Sequence, residues 1–347
     1  MRYSALGDVA MTIPVLYSAC RQNPGTEFVM LTKPAFSRIF INAPENLTVV
    51  GADLAGKHKG VGGQLALLRQ VRPTVLVDLH DVLRSWVLRL GMHARLGRVA
   101  AFDKAREAKR RLTAHGALAA PSVSSTISRY ADAFRRAGLT LDGFSFDNLY
   151  EHTPADAALY ASLSAPKQPG EVWVGAAPFA AHQGKIYSPE HLFQALETVA
   201  RESGARIFLF GGGKMETEML QRRAAMLPNA VCVAGSGIGF AGELALMNSL
   251  DCMVSMDSGN MHLAAIAGAP VVSLWAQTHP AAGFAPWHSP SAAPHIFLGD
   301  DTMPCRPCSV FGNSECRLAV DPPCRLALTP RQVSDAILST INHNSNR

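Results

Sequence analysis

No stretch of this 347-residue chain approaches the ~18 uninterrupted apolar residues of a membrane span, so no transmembrane helix is expected. Charge is sparse, at 17% of residues beside 48% apolar, a composition that describes a soluble globular chain and not a disordered one. Zinc-finger and RNP-type signatures are missing, and no aromatic residues interleave with the basic ones, which argues against nucleic acid as a partner. The triple glycine Gly211–Gly213 lacks the spacing of GxGxxG, so no nicotinamide site is read there. Solenoid repeats and low-complexity tracts are absent. Asp8, and Pro14 inside the first apolar segment, make a poor secretory signal, and the expected compartment is the cytoplasm.

What is present begins with size, which exceeds what one core usually supports and predicts two domains. Charge is unevenly shared. Residues 1–150 hold 20 Lys/Arg against 11 Asp/Glu, whereas residues 151–347 hold 12 against 16. The densest basic run passes from Arg84 through Arg89, Arg95, Arg98, Lys104, Arg106 and Lys109 to Arg110 and Arg111, opposed by Asp103 and Glu107. It reads either as a solvated helix face or as an attractor for an anionic partner such as an acidic membrane surface or substrate.

Short β-branched runs alternate with helix-period segments, the pattern of α/β proteins built on parallel sheets. Strands are expected at 26–31, 47–50 and 74–79, with helices near 9–22, 62–71, 82–91 and 128–137. The polar, proline-containing stretch 151–170 interrupts the rhythm. It resumes with strands at 171–178, 206–210, 230–233, 251–255 and 270–275, and helices near 189–202, 215–226, 241–250 and 260–267. Two successive doubly wound units are therefore expected, with a ligand cleft between them. The boundaries drawn are 1–160, 161–330, and a carboxy-terminal helix over 331–347 that packs back on the first domain.

Three segments carry chemistry. In VSMDSGNMHLAAIAGAPVVSLW (254–275) a strand ends, Asp257, Ser258, Gly259 and Asn260 form the turn, and His262 lies on the first turn of a helix. Amides at a helix start are unsatisfied and the peptide dipoles converge there, which favours a phosphate. Gly259 would let it approach and His262 could donate to it; a cap by Asp257 or Ser258 is the plainer alternative. In PFAAHQGKIYSPEHL (178–192), Lys185 precedes a helix and could meet charge developing on a diphosphate leaving group. Glu216, a few residues beyond Gly211–Gly213, is placed to hold ribose hydroxyls. At the amino end, SALGDVAMTIP puts Asp8 behind small residues, either capping a helix near Val9 or facing a ligand.

Together these segments resemble the heptosyltransferase family of bacterial lipopolysaccharide biosynthesis, glycosyltransferase family 9, through its amino-terminal GD loop and its D-[ST]-G-x-x-H, here DSGNMH. The likeness runs from Ser4 to the Trp275–Pro280 turn. It implies a GT-B architecture, with two Rossmann-like domains facing across a cleft, acceptor on the first and nucleotide sugar on the second. It also implies that Asp8 is the general base of an inverting displacement, that Lys185 stabilises the departing ADP phosphates, and that Glu216 binds the ribose. Asp257, Ser258, Gly259 and His262 would hold the diphosphate and sugar. The implied donor is ADP-heptose and the implied acceptor an anionic Kdo- or heptose-bearing lipid A precursor at the inner leaflet, met by Lys57, Lys59, Arg84 and Arg98. No catalytic metal is expected, and the chain is expected to act as a monomer, peripheral on the membrane. Another nucleotide sugar, or a catalytically silent binding module, is the alternative.

Two features depart from the family. Only Met1, Arg2 and Tyr3 precede Ser4, so if Met1 is the true start the central strand is cut short and Asp8 is held less firmly. The segment 304–324 places Cys305, Cys308, Cys316 and Cys324 at gaps unlike a zinc ribbon; reduced thiols or a redox-dependent disulfide are favoured over structural zinc. Cys20, Cys232 and Cys252 read as core residues.

Overall fold

The computed structural model describes residues 1–93, 98–290 and 294–345. The chain divides into two compact units, residues 1–105 with 125–146, and residues 106–124 with 147–347. The sequence predicts a single domain over 1–160; residues 106–124 and 147–160 instead pack with the second unit.

The first unit opens with two short helices, α1 (Leu6–Ala10) and α2 (Ile13–Gln22), where the spacing predicts one helix over 9–22. Pro14 explains the break: it has no N–H to give, and its ring would collide with the carbonyl of Ala10 in a continuous helix. There follow β1 (Phe28–Thr32), α3 (Pro34–Ser37), β2 (Leu47–Gly51), α4 (Gly60–Val71), β3 (Val75–Asp78), α5 (Leu83–His93) and β4 (Arg98–Ala101). Among the described residues β1 pairs with β2 and β3 with β4, both parallel. Between the two pairs runs the extended tripeptide Met1–Tyr3: Arg2 N–H donates to Leu31 O at 3.0 Å on one side, and Leu79 N–H donates to Met1 O at 3.1 Å on the other. Three residues thus occupy the place of a central strand, and Met1 and Tyr3 enter the same core as Leu31, Leu68, Leu76 and Leu88.

Helix α6 (Arg106–His115) belongs to the second unit, whereas α7 (Thr126–Arg136) returns to the first, capped by Ser125, whose hydroxyl accepts from Ser128 N–H. The second unit then runs β5 (Trp173–Ala177), α8 (Pro189–Ser203), β6 (Arg206–Leu209), α9 (Lys214–Ala224), β7 (Ala230–Cys232), α10 (Gly239–Asn248), β8 (Cys252–Met256), α11 (Gly259–Ala267), β9 (Val271–Leu274), β10 (Ile296–Leu298) and α12 (Pro330–Ser345). Its six strands are all parallel in the order β10-β9-β8-β5-β6-β7. Chain progression reverses between β5 and β8, and in open parallel sheets the carboxyl edge at such a reversal is where ligands are received.

The carboxy-terminal helix, expected to join the first domain, belongs to the second unit. Val333, Ile337 and Ile341, spaced by one helical turn, enter the second unit's core beside Leu192, Leu196 and Val199 of α8. At about 1.5–3 kcal/mol for each apolar side chain withdrawn from water, this stripe decides where the helix docks.

Candidate active site

The second unit places Lys185 and Asp257 together. The first follows β5 and the second follows β8, the two strands that flank the reversal, and Lys185 Nζ lies 2.9 Å from Asp257 Oδ2. Asp257 is 3% exposed and the Lys185 side chain 17%, so the pair lies largely out of water, where each charge depends on the other. The Lys185 loop is fixed from several directions. Gly184 O accepts from Gln277 N–H at 2.9 Å and Gly184 N–H donates to Gly312 O at 3.1 Å, while Arg325 Nε–H donates to Ile186 O at 2.8 Å. A β-carbon at position 184 would overlap Gln277 Oε1 and fall 2.6 Å from Gly312 O, so this close approach requires glycine.

Ser258 occupies the N-cap position of α11 in extended conformation, yet its side chain does not cap the helix; its hydroxyl lies 3.2 Å from that of Ser255. The first amides of α11 consequently have no cap from Ser258, and the plainer reading of this turn as a capping device fails. Gly259 is the first helical residue, and His262 is buried on the first turn. Glu216 lies in the first turn of α9, after Gly213 at φ 80°, and its Oε2 accepts from Gly212 N–H at 2.9 Å. The structure thus gathers Lys185, Asp257, Ser258, Gly259 and His262 at the reversal, with Glu216 at the carboxyl end of β6, next to β5. Sequence reasoning gave no role to Gln277 and Thr278, which directly follow the Trp275–Ala276 turn. Both are buried, and among the described residues Gln277 Oε1 and Thr278 Oγ1 find no hydrogen-bond partner. Buried polar atoms without partners cost stability, a signal visible only in three dimensions.

In the first unit Asp8 is not an N-cap residue. Helix α1 starts at Leu6, so Asp8 is its third residue, and its Oδ2 reaches back to accept from the N–H of Ala5 at 3.1 Å. The same oxygen meets Arg2 Nη2 at 2.5 Å, while Arg2 Nη1–H donates to Leu79 O at 2.7 Å. Asp8 is therefore firmly held by Arg2 and the Ala5 amide, and its side chain keeps 23% exposure. His80 lies close by, its ring 6.0 Å from that of Tyr3; burial and then the charge of Arg2 push its pKa down to about 4, against the pull of Asp78 and Asp8. At neutral pH it is an uncharged imidazole.

The basic residues do not form one surface. Lys57 and Lys59 are exposed on a turn built by Asp53, whose carboxylate accepts from the N–H groups of Ala55, Gly56 and Lys57. Arg84 is exposed at the start of α5. Arg89 is spent within the fold on Asp78 and Asp81, at 3.4 and 3.0 Å. Arg98 is the first residue of β4, at the opposite end of its sheet from Asp78 and His80, with its guanidinium against Gly138. Lys109 is buried on α6 in the second unit, 4.1 Å above the Phe284 ring, and Arg95 lies outside the described residues. Cys305 is exposed, Cys308 and Cys316 half-buried and Cys324 buried, all as free thiols; burial raises Cys324 to about 11. Among the described residues no three His, Cys, Asp or Glu side chains are placed to hold a metal ion. Likewise no helix among them is long and apolar enough to cross a membrane.

A six-stranded parallel sheet whose reversal carries a lysine–aspartate pair and an uncapped helix start has the architecture of a Rossmann-like unit. The profile of glycosyltransferase family 9 (heptosyltransferase) matches residues 65–312, and the chain belongs to that family. It is a glycosyltransferase. Its sequence is 26% identical over 322 residues to lipopolysaccharide heptosyltransferase 1 of Pseudomonas aeruginosa, covering 89% of this chain and 84% of that protein. The fold is similar to that of the family 9 glycosyltransferase of Veillonella parvula, with a TM-score of 0.73, 17% identity, and 98% and 96% of the two chains covered. It is also similar to E. coli ADP-heptose lipopolysaccharide heptosyltransferase II, with a TM-score of 0.70, 16% identity, and 99% and 98% covered. E. coli heptosyltransferase WaaC with ADP gives a TM-score of 0.63 at 16% identity, covering 98% of each chain. The fold is accordingly GT-B.

Proposed function

We propose that this chain moves heptose from ADP-heptose, with inversion at the anomeric carbon, to a Kdo- or heptose-bearing inner-core acceptor of lipopolysaccharide. The observation that supports the reading is the Lys185–Asp257 pair beside the uncapped start of α11, where a diphosphate would find a cation and free amides. In this reading Asp8 takes the proton of the acceptor hydroxyl as that oxygen bonds to the anomeric carbon. Oδ2 is engaged by Arg2 and Ala5, which leaves Oδ1 for the proton. The bond from the anomeric carbon to the diphosphate oxygen breaks at the same time, and ADP leaves with the bonding pair. Lys185 and the amides of α11 stabilise the charge that develops there. Glu216 gives up its contact with Gly212 to hold the ribose, and Ser258, Gly259 and His262 complete the diphosphate and sugar seat. The proposal includes a monomer working at the cytoplasmic side of the membrane, with no metal needed for turnover.

Two measurements test it. Turnover of ADP-heptose on a Kdo-lipid acceptor is expected to collapse in Asp8→Ala, whereas unchanged activity removes the base. Calorimetric titration is expected to rank ADP above UDP and GDP; tighter UDP binding would overturn the heptose donor.

A further inference from the structure

Helix α5 is apolar on both sides. Leu88 and Met92 face inward and are buried, yet Leu83, Trp86, Val87 and Leu90 point out at 82%, 53%, 36% and 60% exposure. Those four sit at i, i+3, i+4 and i+7, so they share one continuous stripe. Beneath the start of α5 lies a groove of about 740 Å³, apolar along Leu54, Val61, Leu83 and Val87, with Lys33 and Arg84 in its lining, and continuous with Tyr3, Ser4 and His80 near Asp8. Among the described residues no Asp or Glu lines it. Exposed cations stand at the groove: Lys33, Arg84, and Lys59 next to the lining residue Gly60; the neighbouring carboxylates are engaged, Asp53 by the N–H groups of its own turn and Asp81 by Arg89. The unit as a whole carries sixteen Lys/Arg against nine Asp/Glu.

A contiguous exposed apolar patch with free cations at its edge marks an interaction surface. Its chemistry combines side chains that favour an acyl or interfacial environment, a tryptophan suited to the membrane–water boundary, and cations that pair with lipid phosphates. We propose that the outer face of α5 seats the first unit on an anionic phospholipid leaflet, with Leu83, Trp86, Val87 and Leu90 entering the interface and Lys33, Lys59 and Arg84 meeting headgroup phosphates. This deepens the membrane-side part of the proposed function by naming the surface, and it is testable without donor or acceptor.

The chain supplies its own probe. Of its four tryptophans, Trp173, Trp275 and Trp287 are 0%, 2% and 6% exposed, so quenching by aqueous acrylamide reports chiefly on Trp86. Full-length protein mixed with phosphatidylglycerol-containing vesicles is expected to co-sediment, shift its emission to the blue and lose acrylamide quenching. Pure phosphatidylcholine vesicles should give neither effect, and high salt should weaken both. The double variant Leu83→Ser/Leu90→Ser, at positions too exposed to matter for folding, is expected to lower vesicle partitioning about tenfold or more while ADP affinity stays unchanged. Arg84→Glu should lower it a few-fold on anionic vesicles alone. Equal binding of both vesicle types, or unchanged partitioning of the double variant, overturns the proposal. So does a doubled mass by light scattering with Trp86 already shielded in vesicle-free buffer, because the stripe is then covered by a second copy. Loss of ADP binding in the wild type counts against the donor reading and leaves this one standing.

Discussion

Each unit ties a carboxylate of the candidate site to a cation, Asp8 as the proposed base and Asp257 at the proposed donor seat, but the two pairs are built differently. Asp257 is sealed at the reversal of a six-stranded sheet with Lys185 as its counter-charge. Asp8 sits on a five-residue helix, keeps 23% exposure, and is held at one oxygen by Arg2 and the Ala5 amide. A buried pair is part of the fold, and breaking it exposes the stability of the whole unit to an unpaired charge. A carboxylate at the solvent margin can exchange protons with a substrate while its removal leaves the framework standing.

The largest expected effect is on Asp8. Asp8→Asn keeps the acceptor for Arg2 and Ala5 but not the basicity, so turnover should fall about 10³-fold while ADP affinity and the unfolding midpoint stay near wild type. A large loss of stability would show that Asp8 belongs to the framework after all. Next is Lys185→Met, where turnover should fall by about 10²–10³-fold and stability by about 3–5 kcal/mol, because Asp257 is left buried and alone. Adding Asp257→Asn should restore most of the stability and none of the turnover. Denaturant unfolding and steady-state kinetics on the three proteins separate the two roles; recovery of both would make the pair purely structural.

These contrasts also explain what could be read from the sequence. The runs at 251–255 and 270–275 each gave a strand because a strand buried on both faces of a parallel sheet is apolar along most of its length. Residues RVAA of β4 and IFL of β10 were missed, too short for a pattern of their own; β7 is as short, and was read only because Val233 extends its apolar run AVCV. The Met1–Tyr3 segment was invisible as a strand because only its neighbours on both sides define it. Lys185 and Asp257 were each picked from local motifs, but their contact depends on strand order, which no local pattern encodes. The basic run misled for the same reason. Lys109 looks like any other surface cation until Phe284, distant in sequence, is found beneath it.

Glu243 on α10 sharpens the comparison from another side, as a carboxylate with burial as its only perturbing influence. Burial raises its pKa from the usual 4.5 to about 7, so between those values the folded chain holds a proton that the unfolded chain releases. Stability from this group is complete below about 4.5 and is lost as pH rises through about 7. Discounted for partial exposure, the loss between pH 5 and pH 8 should be on the order of 1–2 kcal/mol, and Glu243→Gln should abolish that part of the slope in denaturant titrations. Thr278→Val is subtler: its hydroxyl has no partner among the described residues, so the isostere should leave the melting temperature unchanged or higher. If that hydroxyl waits for the donor, KM for ADP-heptose should rise about five- to tenfold with kcat little changed.

The smallest effect is expected at Arg98, and it bears on the first unit's geometry. A basic residue between Arg84 and Lys104 in sequence looks equivalent to its neighbours, yet parallel pairing of Val75 with Arg98 and Asp78 with Ala101 sets it at the amino edge of the strand pair. Asp78, His80 and the Asp8 loop lie at the carboxyl edge. Arg98→Ala should therefore change acceptor KM by less than about twofold, whereas Arg84→Ala should raise it several-fold, as expected of a cation that meets an anionic substrate. A large effect at Arg98 would mean that the acceptor extends around the sheet to its far edge, and would return the basic run to the single surface that the sequence suggested.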